Sequence, residues 1–468
     1  MNRRVFGTVK KAVCCILAGA VVILSGCSGV NSSDSAAPIT TDDATVDVSV
    51  PEEPASVTLE TPVLHYLGSY DLGKDDDAAE ARTAYLGTYA AEYFDKSAGR
   101  YFFPESGENV IVSEVVSRSR INDVLSARIQ SDDSPDLVDV QDDSFPYQMS
   151  RNIYEDISSY MDMSAPQWAE LGEYISAFGI GAKRYYYPWR YEAAAERLYY
   201  NRTLFLQYGI PDPAEQWEAG EWTWDALQAA VEAFTTAVDG AVGICGSDPA
   251  YGLVLSTGTP LIGRDEGGKF VSNLGSQDAA RAMERLGQLR GQGLVTSACA
   301  GYDEDSAMPA AIGLAAFRAA DSGEFARYCR DYAEYDMWNV PYPQESGEGA
   351  YSVETFGYLV PKGAKNIVGA CCFINCCRIA QTNEPSAAEK SRVMAENGFT
   401  EEEYAYMEQF SHVERFDAVI DYAAFAPEAA AAFAALSERA ESAPWQELAA
   451  QEAPAFERMA ADLSAMLE

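Results

Sequence analysis

The most reactive side chains in the sequence are concentrated in CCFINCC, residues 371–377, which contains four of the ten cysteines. Cysteine thiolates bind zinc and form disulfides, so the segment has the composition of a metal or redox site. On a helix from about residue 365 to 380, the four side chains would point at about 0°, 100°, 140° and 240° around the axis. Only Cys372 and Cys376 then share a face, whereas tetrahedral zinc needs four converging ligands. We therefore predict that these cysteines pack as small apolar residues, with metal or redox chemistry as the alternative.

Other signs of catalysis are scarce. The chain has two histidines, His65 and His412, and it lacks HExxH, GxSxG, P-loop and strand-linked GxGxxG motifs. The 72 aspartates and glutamates make chance pairs of carboxylates common, so their spacing cannot identify a glycosidase. We predict a protein that is not an enzyme and that uses no cofactor and no metal.

The composition excludes several kinds of partner. The formal net charge of −39 disfavours nucleic acid and anionic membrane surfaces, because both would repel the chain. A hydrophobic content of 48% is ordinary for globular proteins and is enough for sizeable cores. The part of the chain beyond its N-terminal segment is long enough for two or three domains of about 150 residues each.

The first 26 residues have the layout of a secretory signal peptide. Four basic residues precede an apolar run over 12–24, namely Arg3, Arg4, Lys10 and Lys11. The run is too short for a transmembrane helix, which needs roughly 20 apolar residues. It ends in LSGC, which resembles the lipobox of bacterial lipoproteins and implies that Cys27 is acylated.

Residues 27–59 follow as a spacer rich in Ser, Asp, Ala and Pro. Such a segment cannot bury a core, so we predict a disordered linker. The mature protein would then be anchored by lipid alone on the extracytoplasmic face of the cell membrane.

Beyond the linker, short strands alternate with amphipathic helices. Strands are predicted at 61–71, 109–117 and 136–141, with helices at 76–96 and 122–131. This alternation predicts an α/β fold with a mainly parallel sheet, in which ligands bind beyond the carboxyl ends of the strands. The loops 68–73 and 142–147 are therefore candidates for a binding edge.

Four segments resemble extracellular solute-binding proteins of bacterial ABC importers (family 1), in the group similar to maltose-binding proteins. They are RINDVLSARIQSDDSPDLVDVQDDSFP, RLYYNRTLFLQYGIPDPAEQWEAGEWTWDALQAAVEAFT, VETFGYLVPKGAKN and PWQELAAQEAPAFERMAADL, in the family's order. The resemblance implies a two-lobed fold of the type II periplasmic binding proteins, with a hinge and a ligand cleft between the lobes. It also implies an ABC permease as partner and a monomeric protein that binds a small solute.

Carried onto this chain, the resemblance implies crossings between the lobes near residues 194–200, 338–341 and 381–385. The N-lobe would comprise 60–192 and 337–383, and the C-lobe 193–336 and 384–468. Within the C-lobe we predict that Leu198, Tyr199 and Tyr200 form a strand and that Thr223 caps a helix. Trp222 and Trp224 are predicted to pin that helix.

Sugars need polar partners for their hydroxyls and aromatic rings for their C–H faces. The loops after the first and third strands offer Tyr70 with Asp71, and Asp143 with Phe145. The densest aromatic segment, YYYPWRY at 185–191, lies just before the first crossing. Alternation in a strand would put Trp189 and Tyr191 on one face, so we predict them as sugar platforms, with packing into the lobe as the alternative.

The remaining candidates lie in other loops that the resemblance places at the cleft. Arg318 and Phe356 stand where family members commonly have tryptophan, which leaves the ligand open. Arg318 would pair with an anionic ligand group or with one of the protein's own carboxylates. Thr355 and Tyr251 complete the predicted set.

The function that fits these observations is capture of a carbohydrate, in particular an oligosaccharide, for a membrane permease. Three alternatives stay open. In the first, the ligand is a peptide, a polyamine or another small solute, since the fold hosts all of these. In the second, the protein is a tethered sensor or lectin without a transporter. In the third, it is a secreted glycan-processing enzyme.

Overall fold

The computed structural model describes residues 59–75, 78–141, 144–169, 171–246, 249–296, 306–345, 350–383, 387–411, 417–440 and 443–467. The predicted signal peptide, Cys27 and the linker up to residue 58 lie outside these ranges. Asp143 and His412 also lie outside them.

The described strands alternate with helices along the chain. The strands are β1 (Leu64–Gly68), β2 (Phe94–Asp95), β3 (Arg100–Tyr101), β4 (Ile111–Val115), β5 (Leu137–Asp139), β6 (Arg190–Ala193), β7 (Glu196–Asn201), β8 (Val242–Gly246), β9 (Ile262–Arg264), β10 (Phe270–Ser272), β11 (Val295–Thr296), β12 (Ala315–Asp321), β13 (Met337–Pro341), β14 (Ala350–Phe356), β15 (Tyr358–Leu359) and β16 (Asp417–Val419). The helices are α1 (Ala79–Tyr89), α2 (Ile121–Gln130), α3 (Pro166–Ala169), α4 (Gly172–Ala177), α5 (Arg202–Gln207), α6 (Pro213–Glu218), α7 (Trp224–Ala237), α8 (Pro249–Leu255), α9 (Gln277–Gly291), α10 (Met308–Ala311), α11 (Glu324–Asp331), α12 (Ile367–Thr382), α13 (Ala387–Asn397), α14 (Glu401–Glu408), α15 (Pro427–Arg439) and α16 (Trp445–Ala465).

The N-lobe is built on a four-stranded sheet in the order β15-β5-β1-β4. The central strand β1 is parallel to both β4 and β5, as the alternation of strands and helices predicts. β15 joins β5 in the antiparallel direction and forms an edge. Leu64, Tyr66 and Leu67 of β1 are all buried, because helices cover a parallel sheet on both faces.

The C-lobe contains a five-stranded sheet in the order β11-β8-β12-β7-β13. β7 and α5 form the predicted strand and helix of LYYNRTLF, and the side chain of Asn201 caps α5 by accepting from the N–H of Leu204. Thr223 caps α7 as predicted, since its hydroxyl accepts from the N–H of Ala226 over 3.2 Å. The indole N–H groups of Trp222 and Trp224 donate to the Pro341 carbonyl and the Ser256 hydroxyl respectively. Both tryptophans therefore fix this lobe internally, as predicted.

A third sheet, in the order β16-β14-β6, connects the lobes. The chain crosses from β6 to β7 through Ala194, whose N–H donates to the carbonyl of Ser352 on β14 over 2.8 Å. β13, which the sequence prediction assigns to the N-lobe, pairs with β7 in the C-lobe sheet. Because Gln344 still pairs with Thr223 and Glu345 with Arg281, we propose that the N-lobe resumes beyond residue 345 instead of at residue 337.

The cysteine-rich segment lies in α12, close to the predicted helical range. α12 packs on α1 in the N-lobe. The side chains of Cys371, Cys372, Cys376 and Cys377 are all buried and free of disulfides. Burial raises the pKa of Cys376 to about 12, which keeps its thiol protonated at neutral pH. The geometry agrees with the packing prediction.

Candidate functional site

Several predicted binding residues lie together where β6 and β14 connect the lobes. The two strands are antiparallel, so Tyr191 lies opposite Thr355 and Arg190 opposite Phe356. Trp189 precedes β6, and its backbone N–H donates to the carbonyl of Phe356 over 3.0 Å. The sequence prediction thus selected residues from two distant segments that form one structural unit.

Trp189 and Tyr191 are more deeply buried than a sugar platform requires. Trp189 is 8% exposed and stacks on Tyr358, with ring centroids 6.1 Å apart. Tyr191 is 1% exposed and packs against Tyr174 at 5.1 Å. Because both rings are almost fully covered by protein, the structure favours the alternative of packing into the N-lobe. The predicted alternation itself holds, since Arg190 between them is only half-buried.

The Arg190 side chain lies over the ring of Phe356 on the neighbouring strand β14. The carbon at the centre of its guanidinium lies 3.8 Å from the ring centroid of Phe356 and 5.9 Å from that of Trp189. Such cation–π contacts contribute about 0.5–2 kcal/mol. Phe356 is half-buried, and Thr355 accepts a hydrogen bond from the Tyr186 hydroxyl over 3.4 Å. These polar and aromatic groups line the connection between the lobes.

A group of tyrosines surrounds Asp139 at the carboxyl end of the N-lobe strands. The hydroxyl of Tyr66 donates to Oδ1 of Asp139 over 2.5 Å, and the N–H of Ser69 donates to Oδ2 over 3.2 Å. Tyr70 and Tyr358 share a hydrogen bond of 3.1 Å between their hydroxyl oxygens. The predicted residue Tyr70 therefore belongs to a hydrogen-bonded group that also contacts Trp189 through Tyr358.

The electrostatics of this tyrosine group follow from its burial. Asp139 is 8% exposed, and burial raises its pKa, although the hydrogen bonds from Tyr66 and Ser69 oppose the shift. A Cβ built on Gly68 would lie 1.9 Å from the Tyr66 hydroxyl oxygen, so a glycine is needed to leave room for this contact. A carboxyl group with neighbouring hydroxyls is suited to hydrogen-bond sugar hydroxyls.

Asp71, the other predicted residue of this loop, faces outward. Its carboxylate pairs with Lys74 over 2.9 Å; the side chain of Lys74 is 81% exposed and that of Asp71 is 38% exposed. The hydrogen bond with Lys74 lowers the pKa of Asp71. An exposed pair of this kind contributes little to stability.

Phe145 lies where the lobes meet. It is buried and contacts Phe178 of the N-lobe at a centroid distance of 5.5 Å. On the other side it contacts Phe270 and Tyr422 of the C-lobe at 6.2 and 6.0 Å. The Tyr422 hydroxyl also donates to the carbonyl of Ala177 over 3.1 Å. Phe145 therefore joins the cores of the two lobes, which a ligand-stacking role alone would not require.

In the C-lobe, Tyr251 is tied to a buried carboxylate. Its hydroxyl donates to Oδ2 of Asp421 over 2.8 Å. Oδ1 of Asp421 accepts from the N–H groups of Ile262 and Ala423 over 3.1 and 3.0 Å. Burial, and then the charge of Asp421, raise the pKa of Tyr251. Asp421 thus joins β9 to the segment before α15, and Tyr251 attaches α8 to Asp421.

Arg318 is buried in the middle of β12, where it pairs with Tyr199 on β7 and Cys245 on β8. A Cβ built on Gly246 would lie 1.6 Å from its Nη1, so the guanidinium occupies the space above this glycine. Burial raises the pKa of the nearby Tyr328 hydroxyl, and the positive charge of Arg318 partly opposes this shift. Arg318 lies within the C-lobe and away from the residues that join the lobes.

A cavity adjoins the crossing between β6 and β7. It has an empty volume of about 230 Å³, part of which is open to solvent. Its lining includes Ala194, Glu196, Gly252, Gln344 and Ser352. Because this volume includes open solvent, the enclosed part is far too small for an oligosaccharide.

No group of three or more metal-ligating side chains that converge on one point occurs among the described residues. In the same part of the chain, no helix is long and apolar enough to span a bilayer.

Sequence reasoning missed Asp139, Arg190 and Arg264. Asp139 had a usable signal, because it lies near the end of the predicted strand DLVDVQ, at the edge where ligands bind. Arg264 stands in a hairpin far along the chain, and only the tertiary structure brings it to Phe145, with 5.4 Å between guanidinium carbon and ring centroid.

Comparison with known proteins agrees with this architecture. A family model described as bacterial extracellular solute-binding protein matches residues 90–377. No curated protein matches the sequence.

Three solved structures illustrate the similarity. The cyclic alpha-maltosyl-1,6-maltose binding protein from Arthrobacter globiformis has a TM-score of 0.60 at 16% identity, covering 86% of this chain and 98% of its own. UgpB from Mycobacterium tuberculosis in complex with glycerophosphocholine has 0.59 at 14% identity, with coverage of 86% and 98%. The ABC substrate-binding protein Lmo0181 from Listeria monocytogenes in complex with cycloalternan has 0.56 at 14% identity, with coverage of 85% and 98%.

The structural likenesses confirm the predicted two-lobed α/β fold of the type II periplasmic binding proteins. The family model covers more than half of the chain and includes the first crossing, the C-lobe sheet and most of α12. The chain belongs to the family of bacterial extracellular solute-binding proteins.

Proposed function

We propose that the protein captures a carbohydrate, in particular an oligosaccharide, between its lobes and delivers it to an ABC permease. The observation that carries this proposal is the set of half-buried polar and aromatic side chains where the lobes connect, namely Tyr70, Arg190, Thr355 and Phe356, which lie beside the buried tyrosine group around Asp139. Aromatic rings and hydroxyl groups beside a carboxyl group match the C–H faces and hydroxyls of a sugar. Closure about the β6–β14 connection would bring the C-lobe over this edge.

The similar proteins from Arthrobacter globiformis and Listeria monocytogenes bind cyclic oligosaccharides, which supports a sugar ligand. The similar protein from Mycobacterium tuberculosis binds glycerophosphocholine, so a small solute that is not a sugar stays as the second candidate. In either case we propose reversible binding without turnover by a monomer.

The ligand class can be tested with a thermal-shift screen of the Cys27→Ala chain, purified without lipid. The panel would contain mono- and oligosaccharides, amino acids, peptides, polyamines and glycerophosphodiesters. A ligand at 100 times its Kd adds about 2.7 kcal/mol to the free energy of unfolding, so a sugar ligand should raise the Tm clearly. If all sugars leave the Tm unchanged while another class raises it, the carbohydrate proposal is wrong. Loss of the bound sugar by chemical conversion during incubation would instead indicate an enzyme.

We further propose that the protein is held on the extracytoplasmic face of the cell membrane by lipid on Cys27. Two or three acyl chains would give firm attachment, since each buried methylene contributes about 0.8 kcal/mol. Metabolic labelling with radioactive palmitate should mark the wild type and not Cys27→Ala. Labelled Cys27→Ala, or an unlabelled wild type, would contradict the lipoprotein assignment.

A further inference from the structure

Two guanidinium groups, one from each lobe, contact the same residue. Arg264 at the end of β9 donates from Nη2 to the carbonyl of Gly179 in the N-lobe over 3.4 Å. A Cβ built on Gly179 would lie 2.4 Å from Nη1 of Arg184, so the Arg184 guanidinium lies directly over this glycine. Two cations therefore approach each other across the contact between the lobes.

Among the described residues, no acidic side chain neutralises either of these cations. Their Nε atoms are buried and have no hydrogen-bond partner, and no carboxylate in the described part of the chain forms an ion pair with either guanidinium. Nη1 of Arg184 donates to the carbonyls of Gly181 and Lys183 over 2.8 and 2.9 Å. Arginines such as Arg202 and Arg281 have two or more carboxylate partners, as expected in a chain with 72 acidic residues. The pair at Gly179 is an exception.

Aromatic rings shield Arg264 from water. Its guanidinium carbon lies 4.8 Å from the ring centroid of Phe270, 5.2 Å from that of Tyr422 and 5.4 Å from that of Phe145. Burial lowers the pKa of Arg264, and the positive charge of Arg184 lowers it further. Partial removal of water strengthens the attraction of such a cation for an anion.

We propose that Arg184 and Arg264 form an anion subsite between the lobes, which takes a carboxylate or sulfate group of an acidic sugar ligand. The inference rests on the proposed carbohydrate function and narrows its ligand class. Guanidinium groups bind oxyanions through paired, charge-assisted hydrogen bonds. An anion between the two cations would also remove their mutual repulsion and thereby favour contact between the lobes.

Titration of the purified mature chain with sulfate, at constant ionic strength in calorimetry, tests the subsite directly. The wild type should show saturable binding, and Arg264→Gln and Arg184→Gln should each bind about tenfold more weakly or worse. Gly179→Ala should weaken binding similarly, because its methyl group displaces Arg184 without removing a charge. Arg281→Gln, which changes an exposed C-lobe arginine, is the matched control and should bind like the wild type. If sulfate does not bind, binds without saturation, or binds Arg264→Gln as tightly as the wild type, the proposal is wrong. Any sulfate seen at this place would then be an adventitious ion only.

Sugar ligands distinguish this inference from the proposed function. A trigalacturonate and its methyl ester have the same sugar rings, but the ester replaces each negative carboxylate by a neutral group, so the acid should bind the wild type more tightly and lose this advantage in Arg264→Gln. If neutral sugars from the screen bind while sulfate does not, the carbohydrate function stands and the subsite is wrong. If sulfate binds and no sugar does, the subsite stands and the carbohydrate function is wrong. If Arg264→Gln lowers the affinity for neutral and acidic sugars equally, Arg264 only joins the lobes and the proposed subsite is wrong.

Discussion

The Nε–H of Arg197 donates to the carbonyl of Ala194 over 3.0 Å at the point where the chain passes from one lobe to the other. Ala194 has a φ of 58°, in the left-handed region that side chains other than glycine rarely adopt. Its N–H donates to Ser352 on the other connecting strand. Hydrogen bonds on both sides of the residue thus hold a conformation that costs about 1–2 kcal/mol. This arrangement identifies Ala194 as a fixed point of the connection.

Arg197 is itself held on all sides. It is fully buried, and its guanidinium donates to Asn339 over 3.1 Å and to Glu192 over 3.1 Å. The guanidinium carbon also lies 3.8 Å from the ring centroid of Phe410. The side chain therefore links β6, β13 and the segment after α14. An equivalent set of contacts is not available to a shorter or uncharged side chain.

Arg197→Met should lower the free energy of unfolding by about 3 kcal/mol, because it leaves Glu192 and the Ala194 carbonyl without their partner. Urea unfolding followed by circular dichroism measures the change. Arg281→Met removes an exposed arginine that pairs with Asp278 and Glu345, and should cost less than about 1 kcal/mol. Equal losses in the two variants would contradict the role assigned to Arg197.

The conformation of Ala194 predicts a contrast between two substitutions. Ala194→Val should lower the free energy of unfolding by about 1–3 kcal/mol, because a β-branched side chain is strained at positive φ. Ala194→Gly should change it by less than about 1 kcal/mol, since relief of strain offsets the greater freedom of the unfolded chain. The same urea experiment distinguishes them. Two variants of equal stability would show that the left-handed conformation is not retained.

The contacts of Ala194 and Arg197 at the crossing between the lobes could not have been predicted from the sequence, although much of the fold could. β1, β4, β5, β7 and the Thr223 cap follow from local patterns of apolar residues and capping groups. Arg197 contacts Asn339, which is 142 positions away, and no local pattern encodes such a pairing. For the same reason, the sequence grouped the aromatic residues at 185–191 correctly but could not show how deeply Trp189 is buried. Burial depends on the whole fold.

The raised pKa of Asp139 predicts a pH dependence of stability. Burial makes the folded protein bind the Asp139 proton more tightly than the unfolded chain does. The contribution to stability is therefore complete below the unfolded pKa of about 3.9 and is lost as pH rises through the higher folded value. Asp139→Asn cannot titrate, so its stability relative to the wild type should increase between pH 4 and pH 7. Urea unfolding across this range checks the slope. A difference that is constant, or that decreases with pH, would contradict the shift.

Packing of the α12 cysteines predicts low reactivity. Burial raises the pKa of all four thiols, so the nucleophilic thiolate is scarce in the folded protein. At pH 8 these thiols should react with Ellman's reagent only after unfolding in guanidinium, and EDTA should leave the Tm unchanged. Because Cys245 and Cys329 are also buried, a chain in which Cys14, Cys15, Cys27 and Cys299 are replaced by serine reports on the buried thiols alone. Fast reaction of native protein, or a lower Tm with EDTA, would support the redox or metal alternative.

Because Trp189 is buried, we expect its substitution to lower the free energy of unfolding more than the affinity for a sugar. Trp189→Ala removes a large side chain that stacks on Tyr358, and should lower the free energy of unfolding by about 3–5 kcal/mol. Trp189→Phe keeps an aromatic ring against Tyr358 and loses the rest of the indole, including an N–H that has no hydrogen-bond partner. Because this N–H is unpaired in the structure, Trp189→Phe should retain most of the stability. It should also bind any sugar identified in the screen within about threefold of the wild-type Kd, since a packing residue does not touch the ligand. Stability from urea unfolding and Kd from calorimetry separate the two effects. If Trp189→Phe is as stable as the wild type but loses affinity by about tenfold or more, the indole contacts the ligand, and the sequence-based assignment of Trp189 as a sugar platform is the correct one.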